Sequence, residues 1–458
     1  MSLRAAYEQR RSAASSSNLI SEVYDDDISS NTKKDSAAIS PTGVQSSTLR
    51  VPLAEQVKGD ILRRHILALA DEATFYELAK HLPSNPTLSY EGFLKLSRDS
   101  VPDIMKKYFT ASMFLMLSRN ENGHIMTEDL LRFIQRSMDV DSTLLHLLRY
   151  AKNGLLPGGY IVEQELERYL FNSIPEISGY EKMPSSFHPY YVFTSVRRFF
   201  FFLDSKRAHR INIKKLGHST VMEELLYMKR LSQVQKDMSP IQMSTNWFSG
   251  NNAMKLYSIF VDLDKDKNGV LSIDEMMQFG GTPEEPSQLT RAALEKIFEV
   301  NITFSPMEMD YKAFLDLCLA LENKAAVESM TYFWRALDIE KCGRLTPNAI
   351  SFFYRGIYES LRNINYDAPS PANIQIEVFD MLGCNDPRGP TFNDLVKSGQ
   401  GHVVFSLLLD CNGFLNYDNR ESLMQQQNKT VAANCGNDLR DPITDDYNDD
   451  DYDDDDRF

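Results

Sequence analysis

The sequence contains no CxxC pair, and its five cysteines, Cys318, Cys342, Cys384, Cys411 and Cys435, are an odd number in a long chain. That usage argues for free thiols in a reducing compartment. No apolar run reaches the length of a membrane span, and the stretch around Phe199–Leu203 is far too short, so no membrane insertion is expected. The opening MSLRAAYEQRRS has no apolar segment behind its basic residues, so a secretory leader is not expected either. The expected location is the cytoplasm, with nuclear entry left open because it needs no visible motif. Catalytic signatures are also missing: there is no HExxH, no G-x-S-x-G, no GxGxxG after a strand and no P-loop lysine. The eight histidines do not cluster at ligand spacing, and Cys318, within FLDLCLAL, reads as core packing. These gaps favour a binding or regulatory protein over an enzyme.

Net positive charge is absent too. The formal net charge is -15, of which ten Asp and one Arg between 441 and 458 contribute -9, leaving -6 for the other 440 residues. An acidic run repels a phosphate backbone, so nucleic acid is not an expected partner.

What is present is helical. A hydrophobic fraction of 42% can fill substantial cores, and Leu256, Ile259, Phe260 and Leu263 form one of several stripes at helical spacing. Residues 1–50, rich in Ser, Ala, Thr and Asp, are expected to be a disordered arm, and 425–458 a disordered acidic tail. Between them lie an N-terminal degenerate EF-hand-like helical region, 51–245, and a C-terminal EF-hand region, 246–424.

An internal repeat organises this middle. TLSYEGF, HIMTEDL, YIVEQEL, RINIKKL, VLSIDEM, EMDYKAF, RLTPNAI and GPTFNDL each fit the second half of an EF-hand loop, where a short strand leads into the exiting helix. The apolar anchors at loop position 8 are Leu88, Ile125, Ile161, Ile211, Leu271, Met309, Leu345 and Pro390, separated by 37, 36, 50, 60, 38, 36 and 45 residues. Pro390 is a poor strand residue and makes the eighth unit the weakest. A single helix–loop–helix cannot cover its own apolar face, so the units should pair through their position-8 strands. The expected fold is mostly α, an elongated array of paired EF-hand-like helix–loop–helix units, mostly degenerate, with inserted helices.

One loop is intact. DKDKNGVLSIDE, Asp264 to Glu275, matches D-x-[DN]-x-[DN]-G-x5-E at every specified position. Ca2+ takes about seven oxygens near 2.4 Å. Asp264, Asp266 and Asn268 should offer side-chain oxygens, Val270 its carbonyl, Ser272 a direct or water-bridged contact, and Glu275 both carboxylate oxygens. Gly269 makes the turn. The other loops look metal-free. The second, Ser118–Asp129, lacks a charged first ligand. The third, framed on Gly159, has Gly154 at position 1, although Glu165 survives. The fourth starts at Asp204 but carries His209 and Lys215, the sixth has Ala313 at position 12, and the seventh has Asp338, Glu340 and Gly343 but also Cys342 and Ala349. Of the aromatic clusters, Phe199–Phe202 reads as core, whereas Trp247, in a connection with Pro and Ser, is expected at an inter-domain or partner contact.

Six of these segments also carry a resemblance. FFFFLD (Phe199–Asp204), NWFS (Asn246–Ser249), VDLDKDKNGVLS (Val261–Ser272), MDYKAFLDLCLALEN (Met309–Asn323), EVFDML (Glu377–Leu382) and GFLNYDNRE (Gly413–Glu421) occur in this order. Together they resemble the B double-prime class of protein phosphatase 2A regulatory subunits, nearest the subclass of plant FASS, or TONNEAU, over roughly residues 60 to 422. The resemblance implies a non-catalytic, substrate-targeting subunit that binds a HEAT-repeat scaffold and the catalytic subunit and acts on phosphoprotein substrates. It implies links to centrosomal or microtubule-associated proteins, and a place at the cytoskeleton or microtubule-organising centre. It carries the calcium ligands onto Asp264, Asp266, Asn268, Val270, Ser272 and Glu275. It would also put a second calcium loop at Asp338–Ala349, where Ala349 replaces the bidentate carboxylate. The alternative is an EF-hand cytoskeletal scaffold or sensor unconnected to phosphatase.

Overall fold

The structure, a computed structural model, describes residues 61–62, 69–82, 86–155, 158–233, 246–281, 288–301 and 307–420. The arm 1–50, the tail 425–458 and Cys435 lie outside them. The described chain is mostly helical, with three two-stranded antiparallel sheets. Among the described residues no helix is long and apolar enough to cross a membrane.

The eight anchors pair as neighbours. Leu88 of β1 (Thr87–Leu88) faces Ile125 of β2 (Ile125–Met126), and Ile161 of β3 (Tyr160–Val162) faces Ile211 of β4 (Arg210–Asn212). Leu271 of β5 (Leu271–Ser272) faces Met309 of β6 (Glu308–Met309). The last pair is a single bridge, Arg344 with Thr391, in which the Leu345 amide donates to the Pro390 carbonyl at 2.9 Å. Proline can enter this strand because the contact uses its carbonyl and not the N–H it lacks. All anchors from Leu88 to Leu345 are buried, each contributing roughly 1.5–3 kcal/mol by burial.

In six of the eight units the residue after the anchor explains why the strand turns into a helix; Met126 and Val162 offer no capping side chain. At position 9 the side chains of Ser89, Asn212, Ser272, Asp310, Thr346 and Thr391 each accept a backbone N–H three residues on, at 2.9–3.3 Å. Each is an N-cap worth about 0.5–2 kcal/mol. A β-compatible anchor followed by a capping residue is the local code of those six units.

The described residues form two compact units, those up to 276 with 298–332, and those of 277–297 with the ones from 333 onward. They interleave along the sequence, so the chain on both sides of residue 246 belongs to the first. That unit holds the first three sheets. The second holds the Leu345–Pro390 pair over a core that includes Phe353, Tyr354, Ile357, Val404, Phe405, Leu408 and Phe414; the Phe333 and Phe405 rings meet there at 5.3 Å.

Trp247 departs from expectation. It is 2% exposed, and its indole N–H donates to the Thr194 carbonyl at 2.7 Å inside the first unit. The Tyr191 hydroxyl reaches the Phe248 carbonyl at 2.9 Å. NWFS is therefore a plug that seats the helix Gly250–Leu263 on the helix His188–Leu203, and Trp247 has no surface left for a partner. Of the aromatic run, Phe199 and Phe200 are buried while Phe201 and Phe202 are half-buried.

The same helix His188–Leu203 carries a charged seam. Arg197 makes three contacts of 2.7–3.0 Å with Asp316 and lies 3.6 Å from Glu163, which Lys312 holds at 2.9 Å. Glu167 lies beside them: burial pushes its carboxyl up to about 7, with Lys312 opposing and Glu163 assisting. A raised carboxyl stabilises the fold fully below its unfolded value near 4.5, and that contribution is lost as pH rises through about 7. Glu167→Gln should therefore raise stability at pH 8 by ~1–3 kcal/mol and leave it little changed at pH 4.5. Urea midpoints at the two pH values check this; a uniform shift would contradict it.

Candidate metal centre

The helix Gly250–Leu263 ends at Asp264, which is its C-cap, and the helix Ile273–Met276 begins after Ser272. Between them the backbone turns through Lys267 at φ 57° and Gly269 at φ 84°. Glycine suits the second position because a Cβ is strained there.

Three carboxylates converge in this turn. One oxygen each from Asp264, Asp266 and Glu275 lies within 4.8 Å of the others, which is about twice a calcium–oxygen distance near 2.4 Å. Asp264 is 3% and Glu275 9% exposed. Their remaining lone pairs are fixed by the loop. Asp264 accepts the amides of Asn268 and Gly269, both at 3.0 Å. Glu275 accepts the Lys265 amide at 2.8 Å on one oxygen, and the Ser272 amide and hydroxyl at 2.9 and 2.8 Å on the other. Asp266 accepts the Asn268 amide at 3.1 Å and its side-chain N–H at 2.9 Å, while the Asn268 Oδ1 accepts from the Val270 amide at 2.8 Å. Burial, with Asp266 adding, lifts the Asp264 carboxyl above its ordinary range against the two amides. Burial also acts on Glu275, but the Ser272 and Lys265 donors outweigh it and hold that carboxyl down.

Among the described residues no Lys or Arg side chain pairs with any of these three carboxylates. Like charges are gathered, half-desolvated and pre-oriented, and an all-oxygen set of this kind suits a hard cation. The structure brings Asp264, Asp266 and Glu275 together and hydrogen-bonds Asn268 and Ser272 into the same shell. Val270 is buried and enters it through its amide.

Two other loops reproduce the first half of this frame. Asp338 accepts the amides of Cys342 and Gly343 at 2.9 and 3.0 Å, and Asp204 those of Ala208 and His209 at 2.8 and 2.7 Å. Neither has the position-12 carboxylate. The third loop has the opposite half. Glu165 accepts the amides of Lys152 and Val162 at 3.0 and 3.1 Å, as Glu275 does. The residue before Lys152 is Ala151, C-cap of the helix Thr127–Tyr150. Position 1 is thus Ala151 and not Gly154, because this loop is three residues longer. Gly159 lies against Gly154 in this loop: a Cβ on it would meet the Gly154 carbonyl oxygen at 1.9 Å. Pro157-Gly158-Gly159 was the sequence signal for the insertion.

No protein-family model matches the chain. The gamma member of the B'' regulatory subunits of serine/threonine-protein phosphatase 2A from Mus musculus is 32% identical over 398 residues, covering 85% of this chain and 84% of that protein. TON2 of Arabidopsis thaliana, a probable phosphatase 2A regulatory protein of the same B'' type, is 29% identical over 350 residues, covering 74% and 70%. Among solved structures, a chain of the PP2A PR70 holoenzyme superposes with a TM-score of 0.50 at 18% identity, over 61% of this chain and 98% of that one, which is a likeness of fold.

Proposed function

The chain belongs to the B'' family of protein phosphatase 2A regulatory subunits and is not itself a hydrolase, and from that premise we propose that it carries the phosphatase to its substrates. In this reading it binds the HEAT-repeat scaffold subunit and the catalytic subunit, and phosphoproteins are what it presents. The observation that carries the reading is similarity running through most of both chains, at 85% and 84% coverage. The kinship with a TON2 protein as well as a gamma subunit supports a place in the FASS/TONNEAU-like subclass, and with it a role at microtubule-organising structures. Affinity capture of the full chain from native extract, followed by mass spectrometry, tests it. Scaffold and catalytic phosphatase subunits should co-purify; cytoskeletal proteins without either would replace this reading with a phosphatase-independent scaffold.

Within that role Asp264, Asp266, Asn268, Val270, Ser272 and Glu275 hold one Ca2+. The ion would neutralise three gathered carboxylates and so tighten the lobe built on Phe260 and Phe314, whose rings meet at 5.5 Å. The Asp338 loop has Ala349 in place of the bidentate ligand, so native mass spectrometry should find one tightly held ion. Two would show that the seventh loop also binds.

A further inference from the structure

The fourth loop, 204–215, keeps the calcium-loop backbone but reverses its charge. Its one carboxylate, Asp204, is already engaged by the amides of Ala208 and His209. Against it stand Lys206, Arg207, Arg210, Lys214 and Lys215, all exposed, on a chain whose net charge is -15. Lys215 occupies the position of the missing glutamate, and its ammonium donates to the Leu203 carbonyl at 3.1 Å. Arg207 reaches Asn301 at 2.7 Å, and Arg210 lies over the Tyr160 ring at 5.0 Å. Among the described residues Lys206 and Lys214 have no ion-pair partner.

A second observation sets this loop apart. At loop position 6 the second, fifth and seventh loops have Gly123, Gly269 and Gly343, with φ of 73°, 84° and 74°; the fourth has His209 at φ 54°. An L side chain held in that region is strained, and strain of this kind tends to persist where a side chain is used. Beside the loop runs a groove of about 830 Å³ lined by Leu144, Leu145, Leu148, Leu155, Ile213 and Lys214. Lys214 therefore borders both the basic surface and the apolar groove.

We infer that this loop and groove form a docking site for acidic, phosphorylated segments of protein partners, with one apolar side chain seated in the groove. Lys and Arg side chains recognise phosphate and carboxylate through charge-assisted hydrogen bonds. The complementarity is local: five cations on one loop suit a short peptide, whereas a nucleic acid or bilayer would also meet the acidic remainder of the chain. The inference rests on the substrate-targeting role proposed above, and gives that role a binding surface.

The test uses the full chain and a fluorescent dodecapeptide with one leucine followed by phosphoserines among aspartates, read by anisotropy at low and high salt. Binding should weaken with salt, and the Lys206→Glu/Lys214→Glu variant should lose about tenfold or more in affinity. His209→Gly should bind more weakly with an unchanged or higher Tm, which separates binding from folding. Leu155→Asp should weaken binding through the groove. Equal affinity of parent and double variant, or no binding by the parent, would overturn the site. Tighter binding of phosphatidylserine vesicles through the same lysines would overturn it in favour of a lipid surface. Capture of the scaffold subunit is run in parallel. Scaffold retained with peptide binding insensitive to the variants removes the docking site alone, whereas peptide binding lost in the variants with no scaffold captured by the parent removes the phosphatase reading alone.

Discussion

Glu275→Gln should weaken calcium binding by about a hundredfold, measured by calorimetry on the full chain with calcium titrated into chelator-treated protein. Two losses combine. The ion loses one of three charged ligands, and the bidentate oxygen pair becomes a single oxygen beside an NH2 group. The loop loses geometry as well. Each Glu275 oxygen accepts at least one backbone amide, from Lys265 on one side and from Ser272 on the other. Glutamine can satisfy only one of these, and its NH2 would face a donor on the other side. Helical content should survive, because the helices Gly250–Leu263 and Tyr311–Glu322 pack through Phe260, Tyr311 and Phe314 and not through the loop. An affinity within a few-fold of the parent would remove Glu275 from the ligand set.

The largest effect on stability should come from Arg197→Leu, a loss of ~3–5 kcal/mol. Arg197 and Asp316 are 18% and 17% exposed in their side chains, and each is the other's main counter-charge. Burial works against the Arg197 charge, and Asp316 and Glu163 more than restore it. Burial also lifts the Asp316 carboxyl above its ordinary value even with Arg197 beside it. Without the guanidinium it rises further. Stability is then present while Asp316 is protonated, below its unfolded value near 3.8, and is lost as pH rises through the elevated folded value. The deficit should therefore be larger at pH 8 than at pH 5 in urea unfolding. A second substitution, Asp316→Leu, should recover much of it by removing the stranded charge. A deficit that is independent of pH, or no recovery in the pair, would show that packing and not charge sets the loss.

Much of this was legible in the sequence, for a physical reason. All but two of the units carry a β-compatible anchor with a capping residue next to it, and both signals are local. The eight anchors, even Pro390, fall opposite the partners that pairing of neighbours requires. The fifth loop was legible because six positions in one stretch must agree. What was hidden depends on distance along the chain or on length. Arg197 and Asp316 are 119 residues apart, and nothing local marks either as a partner. Trp247 reads from its neighbours as an inter-domain or partner contact and is buried by a helix 53 residues earlier at the point of contact. The third loop was framed from its far end, so three extra residues shifted position 1 from Ala151 to Gly154. In the fourth loop, His209 and Lys215 read as spoilers of calcium binding; only the backbone turn shows that the loop was kept while its charge was changed. The Asp204 and Asp338 loops teach the same point about encoding. A position-1 carboxylate and two amides are enough to shape the turn, with or without the ligands for an ion.

The back-to-back strands also constrain where this chain can be cut or extended. Each short strand pairs with one neighbouring strand, as Leu271 does with Met309 and Ile161 with Ile211. A break between 211 and 271 leaves complete pairs on both sides. A break between 271 and 309 leaves an open apolar edge, ready to pair with another chain. Strand pairing therefore favours gain or loss of units two at a time. A proteolytic or splice product ending near residue 300 would bare the Leu271 edge, whereas one ending near 240 would keep its strand pairs but lose the Trp247–Phe248 plug and the Asp316 partner of Arg197.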